Sequence, residues 1–177
     1  MIFSRCLLVI LAAVGVIAHS GHAEKRGMVK VHADLARRGY HEDGMAKLKE
    51  YQMQTTDAMA GPQPEREAKL TEITKNLVPL VKTYNSNLMS GLDLSNLGKL
   101  RQHLSLFGEK LYVIVRSCKG TRSEAVYNNI HALNVEVDSL GDFLAQKLPS
   151  TMSAQITSEF AKYSDRIDMI EVATKPF

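Results

Sequence analysis

Residues 124–144, EAVYNNIHALNVEVDSLGDFL, place apolar side chains at Val126, Ile130, Leu133, Val137, Leu140 and Leu144. The steps between them are four, three, four, three and four. An α-helix advances about 3.6 residues per turn, so this spacing lines one face and leaves the other to polar residues. A strand would need alternation with a period of two, and the segment has none.

Three further segments repeat the pattern. Leu70, Ile73, Leu77, Leu80, Tyr84 and Leu88 form one stripe. Leu97, Leu100, Leu104, Phe107, Leu111, Ile114 and Cys118 form a second, and Met152, Ile156, Phe160, Tyr163, Ile167 and Ile170 a third. Each stripe spans about 20 residues, or roughly 30 Å of helix at about 1.5 Å per residue. Short breaks separate them, near 89–95, 119–122 and 148–151. Long helices joined by short loops must lie antiparallel. The expected fold is therefore all-α: an up-and-down antiparallel bundle of four to five amphipathic helices.

The breaks carry turn and cap chemistry. Gly61-Pro62-Gln63-Pro64 interrupts any helix, and Pro64 suits the first turn of the next one, where its missing N–H is not needed. Asp93 or Ser95 is positioned to start the following helix. Gly120 can take the left-handed conformation that ends a helix. Thr121 and Glu124 have the spacing of a capping box. Pro149 stops the next helix, with Ser150 or Thr151 as cap of the last. Pro79 falls inside a helical stretch and is expected to bend it near residues 75–79. Gly98, Gly108 and Gly141 also sit inside helices, where each costs about 1 kcal/mol relative to alanine. Close helix approach, room for a ligand, or neutrality would each account for them.

Before these segments the signal is weaker. Residues 42–59 read as a fifth helix with a sparse stripe of Met45, Leu48, Tyr51 or Gln52, Thr55 and Met59. Residues 24–41 read as a mobile or loosely docked leader in which Gly39 ends a short helix. The domain organisation is thus a signal peptide over 1–23, the leader over 24–41 and the bundle over 42–177.

The signal-peptide assignment rests on Arg5, the apolar run LLVILAAVGVIA over 7–18, and small residues at Gly21 and Ala23. That order of positive, apolar and small residues is the secretory pattern. Cleavage is expected after Ala23, or alternatively after Ser20. The apolar run is too short to span a bilayer, which takes about 20 residues. The chain is expected to be secreted and extracellular, with no transmembrane segment.

Charge and cysteine content narrow the function classes. The formal net charge is +3, from 22 Lys and Arg against 19 Asp and Glu. So balanced a surface does not point to nucleic acid. Of the two cysteines, Cys6 lies in the signal peptide and Cys118 ends a stripe. No internal disulfide can then form in the secreted protein. Cys118 is either a small buried side chain or the link of a disulfide-bonded homodimer.

Motifs for catalysis or for metal and cofactor binding are not found. His41-Glu42-Asp43 groups three possible ligands, but adjacent helical residues point in different directions. His103 and His131 sit beside their stripes, as at a bundle edge. Glu136, Asp138 and Asp142, and again Asp165, Asp168 and Glu171, read as solvated outer faces rather than calcium ligands or an acid–base pair.

The residues therefore favour a secreted, non-enzymatic binding or interaction protein that acts through helical surfaces on an extracellular protein partner, without a cofactor. An alternative is an extracellular carrier of lipid or another small apolar ligand, with Met45, Met53 and Met59 lining an adaptable groove. A bundle of about five amphipathic helices, without tryptophan or internal disulfides, resembles in architecture the exchangeable apolipophorins of insects. That resemblance implies lipid binding. Against it, the stripes are narrower than lipid-surface helices usually show. A small secreted enzyme or toxin is a third reading. Any site is expected between the methionine-bearing helix and the four-stripe core.

Overall fold

The computed structural model describes residues 22–92 and 97–176. Five helices follow one another: α1 (His22–Ala60), α2 (Gln63–Ser90), α3 (Leu97–Arg116), α4 (Glu124–Lys147) and α5 (Ser150–Thr174). The protein is an all-α helical bundle. Most of the expected signal peptide, Asp93 and Ser95 lie outside the described residues, as do the side chains of Leu97 and Met152. The chain divides into two compact units, Met1–Asp34 and Leu35–Phe177. In the first, the described part from His22 is helical. The second contains the bundle.

Helix α4 lies between α2 and α5, and α5 lies also against α3. Every stripe residue of α4 is buried. The α4–α5 pair is antiparallel: His131 meets Glu171, and Asp138 meets Ser164. Alternate helices run in the same direction, as an up-and-down chain requires. Asn129 of α4 reaches Thr71 and Thr74 of α2, and the higher-numbered Asn85 reaches Glu136. The core runs along the bundle in two clusters, and Leu88 and Phe160 pack against both.

Several local expectations need correction. Gly39 does not end a helix, because α1 continues through it to Ala60. An interior glycine lowers helix stability but stops a helix only where the backbone turns left-handed. Among the described glycines Gly120 alone does so, at φ 85°, in the turn after α3. The Thr121–Glu124 capping box is absent. Ser123 is the N-cap and Glu124 is the first helical residue, so Thr121 and Glu124 do not hold the N-cap and third helical positions that a capping box needs. Pro149, not Ser150 or Thr151, precedes α5, whose first bond runs from Ser153 N–H to the Pro149 carbonyl at 2.8 Å. Pro79 lies inside α2, as the sequence pattern implies. It is exposed, as is Lys75, whose carbonyl loses a donor there, so water can take that bond.

The α1 stripe is displaced by one residue at each end. The buried positions are Gly44, Leu48, Thr55 and Ala58, not Met45 and Met59. Gly44 and Ala58, each directly before a methionine, take the inward positions. Gly44 shows why: a Cβ there would lie 3.3 Å from the Tyr84 ring.

Gly108 and Gly141 mark two more close approaches. A Cβ on Gly108 would sit 2.8 Å from the Tyr163 ring, and one on Gly141 would sit 3.2 Å from Phe160. Both rings belong to α5, so these glycines let α3 and α4 approach it closely. A Cβ on Gly98 would meet nothing within 4 Å. Urea denaturation should therefore separate them by sign. Gly98→Ala should stabilise the protein by about 0.5–1 kcal/mol through helix propensity. Gly108→Ala should destabilise it, because overpacking of about 1–3 kcal/mol exceeds the same gain.

Candidate functional site

The expected location, between α1 and the core, holds a column of rings. Histidine 41 is carried by α1, Tyr84 by α2, and His103 and Phe107 by α3, one turn apart. The His41 and His103 rings stack with centroids 3.7 Å apart and planes 11° from parallel. Tyr84 and Phe107 stack at 3.7 Å and 8°. The two stacks are joined by His41 Nδ1 and Tyr84 Oη, 3.3 Å apart. Gly44, one turn beyond His41, brings the α1 backbone onto the Tyr84–Phe107 stack.

Partial burial governs the electrostatics of this column. Desolvation, then the neighbouring His103, pushes the His41 pKa down to about 4. Desolvation, then Lys99, also lowers that of His103. Desolvation raises that of the Tyr84 phenol. Both imidazoles are thus neutral at pH 7. In that form one ring nitrogen of His41 can accept from the Tyr84 hydroxyl. The parallel stacking sets the rings face to face, so their nitrogens do not converge on one point as metal ligands must. Among the described residues, no group of three His, Cys, Asp or Glu side chains is placed to hold a metal.

A second polar cluster joins α4 and α5. The buried Asn134 amide donates to Asp168 Oδ1 and, at 3.0 Å, to Glu171 Oε2. His131 Nδ1 lies 2.9 Å from the other Glu171 oxygen. Asp138 accepts from Ser164 at 2.7 Å. Asp138, Asp168 and Glu171 tie the helices together through these bonds, although Asp138 and Asp168 are as exposed as Asp142 and Asp165. Sequence reading did not anticipate Asn134. A polar residue directly after the stripe leucine, Leu133, is the signal that could have marked it.

The expected methionine groove does not form as a unit. Met45 packs against the core, but Met53 is 62% and Met59 43% exposed. Met53 and Met59 stand about 120° apart around α1, at about 100° per residue. A small cavity lies elsewhere, bounded by Val81, Asn85, Gly108, Phe160 and Tyr163 among others. It has a volume of about 20 Å³, enough for about one water molecule.

Cys118 has no exposed surface. Burial raises its thiol pKa to about 12, so it is neither ionised nor accessible at pH 7. Among the described residues no helix is long and apolar enough to cross a membrane. No protein-family model, curated protein or solved structure matches the chain.

The thiol's burial sets an expectation for labelling. Peptide mapping after iodoacetamide treatment at pH 8 should find Cys118 unmodified in the native protein and fully modified in 6 M guanidinium. The native protein should run as a monomer on a non-reducing gel. A reducible dimer through Cys118 would require an opened form of this bundle.

Proposed function

We propose that this chain is a secreted, non-enzymatic protein that acts outside the cell by binding a protein partner through the outer faces of its helices. The observation that carries the reading is the packed core, in which apolar side chains of all five helices are buried together. The cavity beside Gly108, at about 20 Å³, is too small for a substrate or an acyl chain. His41 with His103, and Asp168 and Glu171 with Asn134, connect helices rather than surround a pocket. Apolar side chains remain on the outside at Leu106 and Val113 of α3, Val135 of α4, and Met169 and Val172 of α5. Leu106 and Val113 are seven residues apart and share a face.

The carrier reading has one supporting observation. The α1 stripe has few bulky apolar side chains, since Gly44, Thr55 and Ala58 occupy most of its buried positions. A bundle could open along so thin a seam and turn its core toward lipid, as the apolipophorin-like architecture would imply.

Expression of the full chain in a eukaryotic secretory line tests both readings. The protein should appear in the medium with Glu24, or Gly21, as its first residue. At micromolar concentration it should leave phosphatidylcholine vesicles turbid, while crosslinking in its native fluid should capture a discrete protein partner. Retention inside the cell would refute the secreted reading. Clearance of the vesicles would replace protein binding with lipid carriage.

A further inference from the structure

We propose that the stacked pair of His41 and His103 is an acid-sensitive latch that holds α1 on α2 and α3 and releases it when the pair takes up protons. The proposal is independent of what the protein binds and concerns how the bundle opens.

The geometry places the pair where it controls docking. The rings meet across the α1–α3 seam at 3.7 Å, near the limit of ring contact. Protonating both would put two positive charges face to face in a half-buried setting, with no solvent between them. Protonating His41 at both nitrogens also removes its acceptor and ends the bond it can accept from Tyr84 Oη. Among the described residues the groups facing the pair offer no compensation. From α2 the facing titratable group is Tyr84, which is neutral. From α3 it is Lys99, which is cationic and acts on His103. The charge acting on His41 is that of His103. Among the described residues no carboxylate contributes to either shift.

Over the described side chains, α1 also has little to hold it. Leu48 is its one large, fully buried aliphatic side chain among the described residues, and Gly44, Thr55 and Ala58 add little apolar area. Helices α4 and α5 bury long stripes against each other. Their own histidine, His131, lies against the carboxylate of Glu171 rather than against a second imidazole. Charging the His41–His103 pair therefore acts against the α1 seam and not against the α4–α5 seam.

The sign follows from linkage. The native pair binds protons less readily than the released pair, whose imidazoles return toward the ordinary value near 6.5. The docked state is fully favoured above about pH 6.5 and loses its advantage as pH falls toward the His41 value of about 4. Within that window the equilibrium constant for release should rise about tenfold per pH unit for each histidine protonated only in the released form.

Hydrogen exchange with mass spectrometry on the full chain, corrected for intrinsic rates, tests the latch alongside an NMR titration of the imidazoles. Amides of residues 41–60 should lose protection between pH 6.5 and 5, above the carboxylate range, while those of α4 and α5 keep theirs. The His41 and His103 resonances should titrate below 6.5. The double variant His41→Phe with His103→Phe keeps flat rings without a charge, and should retain α1 protection at pH 5. Should that variant not fold, the wild-type comparison decides alone. The latch is overturned if both imidazoles are protonated while α1 stays protected, if all helices lose protection together, or if the variant releases α1 at the same pH as the wild type.

Discussion

Burial of α4 on two sides at once is the constraint around which the bundle is arranged. Its stripe from Val126 to Leu144 has to be covered, and one neighbouring helix is too narrow to cover it. Helix α2 takes one flank and α5 the other. Covering α4 in turn fixes how the pairs are joined. On the α2 side the joints are amide bonds: Asn85 Nδ2 to the Glu136 carbonyl at 2.7 Å, and Asn129 Nδ2 to the Thr71 carbonyl at 3.2 Å. On the α5 side they are carboxylate bonds through Asn134 and Ser164. The apolar stripe supplies the driving force. The amides and carboxylates set where along the helices it is satisfied, since a buried polar group without a partner is costly.

Aromatic rings and glycines then decide how closely the remaining helices approach. Tyr163 fills the space beside Gly108, and Phe160 the space beside Gly141. Tyr84 and Phe107 form the platform on which Gly44 rests. At each of these places the ring provides contact area and the glycine provides access. Arg166 adds to the α3–α5 seam by lying over the Tyr112 ring, 5.2 Å from its centre.

The helices, their order and nearly all of the core were legible in the sequence, because burial in a helix imposes a period that apolar residues reveal. Val81 and Val115 are also buried and fall outside the stripes, because a helix with neighbours on two sides needs a wider face than a two-position comb. Caps were less legible. Thr121 and Glu124 satisfied a spacing rule, yet the turn ended two residues later at Ser123, where Gly120 had reversed the chain. Methionine misled in α1 for a definable reason: its apolarity suggested an inward position, while the close approach at Tyr84 required small residues there. The pairing of His41 with His103 was not legible. It joins residues on separate helices, and no local spacing encodes which helix faces which. Asn134, Asp168 and Glu171 were equally hidden as a cluster, since each by itself is what a solvated face carries.

The close packing of the core also has a mechanical consequence. Hydrostatic pressure unfolds proteins mainly because unfolding eliminates internal voids, so the volume change scales with the empty space a fold contains. The void bounded by Gly108, Phe160 and Tyr163 is about 20 Å³. Compression thus has little empty volume to gain from collapsing it. Heat, acid and denaturant have purchase on the seams between helices, whereas pressure gains little where these rings meet the glycines.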